Sequence, residues 1–179
     1  MSTCLFADGS AAVIVAGDGV VTERTAARND PRIIAQRCVL WPDTEDVMGF
    51  EFTDRGLEVV LSRSVPQLVR ERFASSVDLA CAHAGIAISD LDHYLLHPGG
   101  AKVLDAYGEV LPLEASQLRW SREVLRTHGN MSAPTALFVL RRALDAADAH
   151  AARCPVAGDL ALVSAMGPGF AAEHVVLQW

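Results

Sequence analysis

Two polar side chains of this sequence could act together on a reacting oxygen atom. His97 follows the apolar stretch 94–96 and precedes a Pro-Gly-Gly break, so it is expected at the end of a buried strand. Asn130 stands before the apolar run 133–140, where a new helix is predicted. An imidazole N–H and an amide N–H placed in this way can stabilise an oxygen that becomes negative during acyl transfer.

An alternative without chemistry is open for both residues. Asparagine is a preferred N-cap, so Asn130 could do no more than begin its helix. A histidine at a strand end is often a bystander whose ring nitrogens are satisfied locally. Spacing alone therefore does not define an active site. Whether the two residues act in catalysis or only in the structure depends on the elements that position their loops.

Hydrophobic periodicity predicts a mixed α/β fold in a single domain over residues 1–179. Strands are expected at 6–15 and 32–40, within 88–96, and at 160–164 and 172–178, with a hairpin over 47–61 that turns at 54–56. Helices are expected from the residue after Ser64 to about residue 84, at 102–110, at 114–127, and from Asn130 or Met131 to about residue 152.

Composition and charge argue against several function classes. The net charge of −7 is unfavourable for a general nucleic-acid surface. The longest apolar runs are too short to span a membrane, and the first residues lack the charged start of a signal peptide, so a cytoplasmic location is predicted. The cysteines lack metal or redox spacing and are expected to be reduced, so no metal site is predicted; they are Cys4, Cys38, Cys81 and Cys154.

Three motifs shift the balance towards chemistry. They are His97-Pro98-Gly99-Gly100, Gly129-Asn130-Met131-Ser132 and Gly167-Pro168-Gly169, in this order along the chain. Together they resemble the C-terminal half of the type III polyketide synthases, the chalcone and stilbene synthase family. The segment 41–66 is most similar to the bacterial alkylresorcinol and alkylpyrone branch. The resemblance implies half of a thiolase-like fold, with a mixed sheet covered by helices.

The resemblance gives the two loops a chemical role. It implies that His97 and Asn130 belong to a Cys-His-Asn triad that loads acyl groups and decarboxylates malonyl-CoA. Decarboxylation of a malonyl thioester leaves an enolate whose oxygen is negative, and two neutral N–H donors would stabilise it. A charged imidazole would also stabilise a cysteine thiolate.

The resemblance also implies residues that hold the substrates. The acyl cavity would be lined by Phe6, Met48, Gly49, Phe50, Val59, Gly167, Pro168 and Gly169. The CoA arm would lie near Gly99, Gly100, Lys102 and Ser132. Simpler alternatives stay open, because Val59 suits any strand, a Gly-Pro-Gly turn needs no function, and Lys102 could be a solvated helix residue although it is the only lysine of the chain.

No residue here corresponds to the nucleophilic cysteine of the family, which lies in its N-terminal half. We therefore expect an acyltransferase that condenses a long-chain acyl-CoA starter with malonyl-CoA only together with a Cys-bearing partner half. The alternative is a non-catalytic thiolase-like module that forms a dimer with an intact synthase or regulates it. In either case an uncovered strand edge and apolar face predict such a partner, or a homodimer in its place. CoA thioesters are expected as substrates, with no other cofactor.

Overall fold

A computed structural model describes residues 5–20, 30–148 and 154–179 of the chain. Its centre is a four-stranded sheet in the order β1-β6-β5-β4, formed by β1 (Arg32–Leu40), β4 (His93–Leu96), β5 (Leu160–Gly167) and β6 (Ala171–Gln178). β4 runs parallel to β5, while β6 is antiparallel to both of its neighbours. A separate antiparallel hairpin consists of β2 (Met48–Thr53) and β3 (Gly56–Leu61).

Four longer helices connect and cover these strands. The first, α1, spans residues 65–84 and is α-helical over Val65–Leu68, π-helical over Val69–Phe73 and α-helical again over Ala74–Ala84. The others are α2 (Ala101–Val110), α3 (Arg119–His128) and α4 (Pro134–Asp148). Short 3-10 turns occupy Asp18–Val20, Ile88–Asp90 and Ala115–Leu118. No helix in the described ranges is long and apolar enough to cross a membrane.

β4, β5 and β6 lie between two helical layers because they present apolar residues on both faces, whereas most residues of β1 are exposed. Leu96 and Leu162 belong to the core on the side of α1 and α2, whereas Leu95 and Ala161 belong to the core on the side of α3 and α4. All four residues of β4 are buried. The predicted mixed α/β fold, with a mixed sheet covered by helices, is confirmed.

Local signals placed the ends of several elements correctly. α1 ends at Gly85, which has a left-handed backbone (φ 74°) and donates its N–H to the carbonyls of the last turn. The hairpin turns within 54–56 as predicted, and β1 has the predicted bounds. The π-helical turn inside α1 was not predicted, since no residue of that segment breaks the helical pattern.

The prediction of a strand over 6–15 is wrong. Phe6 forms one isolated parallel bridge with Asn130, and residues 7–17 have no regular secondary structure. Ile14 is 95% exposed and Val13 is 57% exposed. An apolar β-branched run becomes a strand only where another strand pairs with it, and in the described part of the chain no strand pairs with these residues.

The prediction that the helix starts at Asn130 is also wrong. α4 begins at Pro134, a residue suited to the first helical turn. Proline disfavours a helical residue before it, and Ser132 has a positive φ of 62°, so the chain cannot be helical from Asn130 onwards. The helix is described as far as Asp148, and the predicted end near residue 152 lies outside the described residues. The predicted helix 114–127 begins with a 3-10 turn and continues as α3.

Candidate active site

His97 lies at the junction between β4 and α2. Its backbone N–H donates to the Ser164 carbonyl (2.8 Å), which extends the parallel pairing of β4 with β5 by one residue. Its carbonyl accepts the Gly99 N–H (3.0 Å), so the chain turns at once towards α2. Gly100 precedes α2 in an extended conformation and supplies no side-chain cap. The histidine is therefore fixed by the sheet on one side and by a tight turn on the other.

Asn130 is held by a short strand-like contact with the N-terminal segment. Its backbone N–H donates to the Leu5 carbonyl (3.1 Å), and its carbonyl accepts the Ala7 N–H (2.8 Å). The side-chain Oδ1 accepts the backbone N–H of Ser132 (2.9 Å), and Nδ2 donates to the Gly99 carbonyl (3.2 Å). The asparagine is thus not a helix cap but a bridge between its own loop and the loop that carries His97.

The electrostatics of the two side chains favour neutral hydrogen-bond donors. His97 is 8% exposed, and its Nδ1 is buried without a hydrogen-bond partner among the described residues. Desolvation lowers the pKa of its imidazole to about 4, so the ring is neutral at neutral pH. Asn130 is 4% exposed. Its Nδ2 carries two hydrogens, and in the described part of the chain only one of them is donated.

This arrangement suits the stabilisation of a negative oxygen. Two neutral N–H groups in a desolvated position act more strongly on a developing charge than they would in water. The structure brings the two loops into contact, although the contact joins Asn130 to the Gly99 carbonyl and not to the imidazole ring. Convergence of both side chains on one substrate cavity stays a prediction.

The hairpin carries several of the predicted cavity residues on one apolar face. The cross-strand pairs on this face are Met48 with Leu61, Phe50 with Val59 and Phe52 with Leu57. Phe52 is 89% exposed, Phe50 60% and Val59 47%. Gly49 pairs with Val60 and belongs to the opposite face. Phe52, Leu57 and Leu61 lie on the same face but were not among the residues predicted from the sequence. Their alternation with Phe50 and Val59 could have indicated their position.

The remaining residues predicted to line the cavity occupy two places. Phe6 lies beside Asn130 through their backbone bridge. Gly167 is the last residue of β5, and Pro168 and Gly169 begin the turn to β6. This turn is tied to the loop after β1 because Phe170 donates its N–H to Thr44 Oγ1 (3.0 Å). Gly169 has φ 139°, and a Cβ there would lie 3.0 Å from Leu40 Cδ1, so its lack of a side chain has a structural reason.

The residues predicted near the CoA arm lie in the loops of His97 and Asn130 or just after them. Gly99 accepts the Asn130 amide, and Ser132 donates its backbone N–H to the same side chain. Gly100 approaches Leu5, whose Cδ1 would lie 3.7 Å from an added Cβ. Lys102 is exposed on the first turn of α2. Its position fits both alternatives, a phosphate contact and a solvated helix residue.

Two residues that sequence reasoning missed support His97. The Tyr107 hydroxyl donates to the His97 carbonyl (3.4 Å), and Ser121 Oγ donates to the Leu96 carbonyl (2.6 Å). Both side chains are fully buried. Periodicity places Tyr107 and Ser121 on buried helix faces, but no sequence signal indicates which carbonyl they reach.

Replacement of Gly129 with alanine tests the geometry that presents Asn130. Gly129 has φ 74°, and an added Cβ would lie 3.1 Å from Ala7 Cβ. We expect a loss of about 1–2 kcal/mol in the free energy of unfolding, because of both the strained backbone and the contact. Urea denaturation measures it. Gly108→Ala is the matched control, since that site in α2 is open and alanine there should stabilise by about 0.5–1 kcal/mol. Equal midpoints for both variants would contradict the left-handed backbone conformation of Gly129 and its close approach to Ala7.

Comparison with known proteins agrees with the fold and the motifs. The family model described as "Chalcone and stilbene synthases, C-terminal domain" matches residues 32–179. In structure, the chain is similar to 1,3,6,8-tetrahydroxynaphthalene synthase from Streptomyces coelicolor A3(2), a bacterial type III polyketide synthase, with a TM-score of 0.74 and 28% identity over 83% of this chain and 41% of that one. The chain thus has a fold of the thiolase-like class found in the type III polyketide synthases, as predicted. The chain belongs to the chalcone and stilbene synthase family through its C-terminal domain.

Two relatives show how much of a family member the chain represents. It is 34% identical to a putative chalcone synthase of Bacillus subtilis (strain 168), over 100% of this chain and 47% of the relative. It is 37% identical to 1,3,6,8-tetrahydroxynaphthalene synthase of Streptomyces peucetius subsp. caesius, over 98% of this chain and 44% of the relative. The chain thus spans a little under half the length of these two relatives.

Proposed function

We propose that this chain supplies the C-terminal part of a type III polyketide synthase, in which His97 and Asn130 stabilise the enolate formed from malonyl-CoA. The observation that supports this best is the contact between the Asn130 amide and the Gly99 carbonyl, next to a buried neutral imidazole. This contact supports the proposal because it joins the loop of Asn130 to the loop that carries His97. Membership of the family agrees with this role.

The proposed chemistry separates into two steps. In the first, the bond between the malonyl carboxylate and its α-carbon breaks, CO₂ leaves, and the electron pair passes to the thioester oxygen as an enolate. The imidazole and amide N–H groups donate to that oxygen. In the second, the enolate carbon attacks an acyl thioester, and the thiolate leaves. The first step needs only the two donors, whereas the second needs an acyl group held beside them.

The cysteines of the described residues are poorly placed for the acyl group. Cys81 is buried in α1, where desolvation raises the pKa of its thiol to about 11. Cys38 is exposed on β1, and Cys154 lies in the segment before β5. Cys4 lies outside the described residues. The proposal therefore assigns the nucleophile to a complementary half of the synthase.

The same proposal assigns an occupant to the exposed apolar surfaces. Most of the apolar hairpin face is exposed, and among the described residues β1 is an edge strand with Ile33 51% and Leu40 62% exposed. A surface of this kind is usually paired with another chain or segment. We propose that the complementary half covers it, or that a second copy of this chain takes its place.

A long-chain acyl-CoA is the proposed starter, and Val59 provides its test. In the assembled synthase, Val59→Phe should shift products towards shorter acyl chains, because the added ring occupies space beside Phe50 that an alkyl chain needs. Mass spectrometry of products from acyl-CoA starters of increasing length measures the shift. Val60→Phe is the matched control, since Val60 belongs to the opposite face. An unchanged chain-length profile for Val59→Phe would remove Val59 from the cavity.

A non-catalytic role in a dimer with an intact synthase is the second candidate. It is favoured by the exposed apolar hairpin together with the unsuitable placement of the described cysteines. The decisive experiment incubates the purified chain with malonyl-CoA and a long-chain acyl-CoA, alone and with a Cys-bearing N-terminal half of a type III synthase. We expect pyrone or resorcinol only from the pair. Absence of CO₂ release and of products from the assembled pair would favour the non-catalytic role.

A further inference from the structure

A chain of hydrogen bonds lies in the core beneath the candidate site. His174 on β6 is fully buried, and its Nδ1 lies 2.9 Å from Ser164 Oγ on β5. Its Nε2 lies 3.0 Å from Ser76 Oγ on α1, and Ser76 Oγ donates to the Phe73 carbonyl (2.7 Å). All three polar side chains are at most 1% exposed. We call this hydrogen-bonded set the buried relay; it consists of the Phe73 carbonyl and the side chains of Ser76, His174 and Ser164.

The relay has a defined direction. The Ser76 hydroxyl hydrogen is donated to Phe73, so Ser76 Oγ can only accept from the imidazole. His174 therefore carries its hydrogen on Nε2, and Nδ1 accepts from the Ser164 hydroxyl. Burial lowers the pKa of His174 to about 4, which is consistent with a neutral ring of one tautomer.

One end of the relay reaches the backbone of His97. Ser164 pairs with His174 in the β5–β6 ladder and with Leu96 in the β4–β5 ladder. The carbonyl of Ser164 accepts the His97 N–H at 2.8 Å. The residue whose hydroxyl is fixed by His174 is thus the residue that fixes the backbone nitrogen of His97.

A second route from His174 reaches the other backbone group of His97. The His174 ring packs edge-on against Phe73, with ring centroids 5.5 Å apart. Phe73 packs against Tyr107 at 4.6 Å, and the Tyr107 hydroxyl donates to the His97 carbonyl. The His97 N–H is therefore held by Ser164, whose hydroxyl contacts the His174 imidazole. The His97 carbonyl is held by Tyr107, which is separated from that imidazole by the Phe73 ring.

We propose that His174 is a positioning residue, which fixes the backbone of His97 through Ser164 on one side and through Phe73 and Tyr107 on the other. Its consequence for catalysis rests on the proposed function, but the positioning itself does not. An apolar side chain could fill the same volume without requiring hydrogen bonds. A buried polar network instead requires one arrangement of its members, because any unpaired member is costly in a low-dielectric interior.

Amide hydrogen exchange tests the positioning in this chain without any activity. His174→Phe retains an aromatic ring but removes both hydrogen bonds. We expect exchange of the His97 amide to accelerate by about tenfold relative to the Leu162 amide. Ser164→Ala, which removes one hydroxyl and is the milder variant, should shift the ratio in the same direction. Equal acceleration of both amides in the two variants would mean a general loss of stability and would overturn the proposal.

His93→Phe is the matched control for exchange. His93 lies at the opposite end of β4, and it is also largely buried and hydrogen-bonded, to Asp159 at 2.7 Å. The same substitution there should leave the exchange ratio of the His97 and Leu162 amides unchanged. A shift in that ratio as large as the one in His174→Phe would show that any buried histidine has this effect, and would overturn the assignment to His174.

Kinetics in the assembled synthase test the consequence. For His174→Phe we expect kcat for malonyl-CoA decarboxylation to fall by about 10- to 100-fold while KM stays within about twofold, since a misplaced donor affects the transition state more than substrate binding. An unchanged kcat despite faster His97 exchange would overturn the catalytic consequence. If the wild-type pair is inactive, the proposed function fails, and hydrogen exchange alone decides the positioning.

Discussion

Replacement of His97 with alanine is expected to slow malonyl-CoA decarboxylation in the assembled synthase by about 10²–10³-fold. In the proposed mechanism the buried neutral imidazole is one of two donors for the enolate oxygen, and a methyl group cannot replace it. The loss should appear in kcat more than in KM, because the interaction is strongest in the transition state. Release of labelled CO₂ from malonyl-CoA measures it directly.

Two variants make this result specific. His97→Gln keeps a neutral N–H donor and should recover part of the lost rate. His83→Ala removes an exposed histidine at the end of α1, whose Nδ1 lies 3.0 Å from the Gln36 carbonyl, and should leave the rate unchanged. If His97→Ala decarboxylates as fast as the wild type, His97 is not a donor to the enolate, and the proposed mechanism is wrong.

Acidification of the isolated chain below neutral pH is expected to destabilise it because two of its histidines are held neutral by burial. Burial lowers the pKa of both His97 and His174 from 6.5 to about 4. Between these values the unfolded chain binds protons that the folded chain excludes, so the free energy of unfolding falls as the pH falls. The contribution is fully present above pH 6.5 and is lost as the pH approaches about 4. Each histidine supplies a slope of up to roughly 1.4 kcal/mol per pH unit.

Urea unfolding at a series of pH values between 7 and about 4.5 measures this slope. His174→Phe should remove about half of it, because one of the two buried imidazoles is gone. A pH-independent free energy of unfolding across this range would show that neither imidazole is held neutral by the fold.

Local sequence signals predicted most of the secondary structure for identifiable reasons. The Pro-Gly-Gly break ends β4 at Leu96, Gly85 ends α1, and the turn at 54–56 divides the hairpin. Each signal acts on the backbone dihedrals of its own residue or its neighbour, so no distant contact is needed. The motifs around His97 and Asn130 likewise identified the family from the residues themselves.

Two errors show where local signals were insufficient. The run 11–15 has strong β-propensity, yet its pairing depends on a partner strand that propensity does not supply. Asn130 has the sequence context of a helix cap, but its carboxamide bonds to Gly99 and Ser132 instead. The run 11–15 finds no partner strand in the described part of the chain, whereas the Asn130 side chain has a partner, Gly99, in a distant loop. In both cases the local structure depends on hydrogen-bond partners that are distant in the sequence.

The sequence by itself determined the alternation of apolar residues in the strands, the ends of most elements, and the residues that could do chemistry. Only the tertiary structure decided which of them meet. Asn130 reaches the loop of His97 across 31 residues, and His174 lies 98 residues from Ser76 in the chain but 3.0 Å away in space. Dihedral preferences and periodicity act within a few residues. The partners of a buried polar group depend instead on how the sheet and helices pack, because burial requires those partners wherever in the chain they originate.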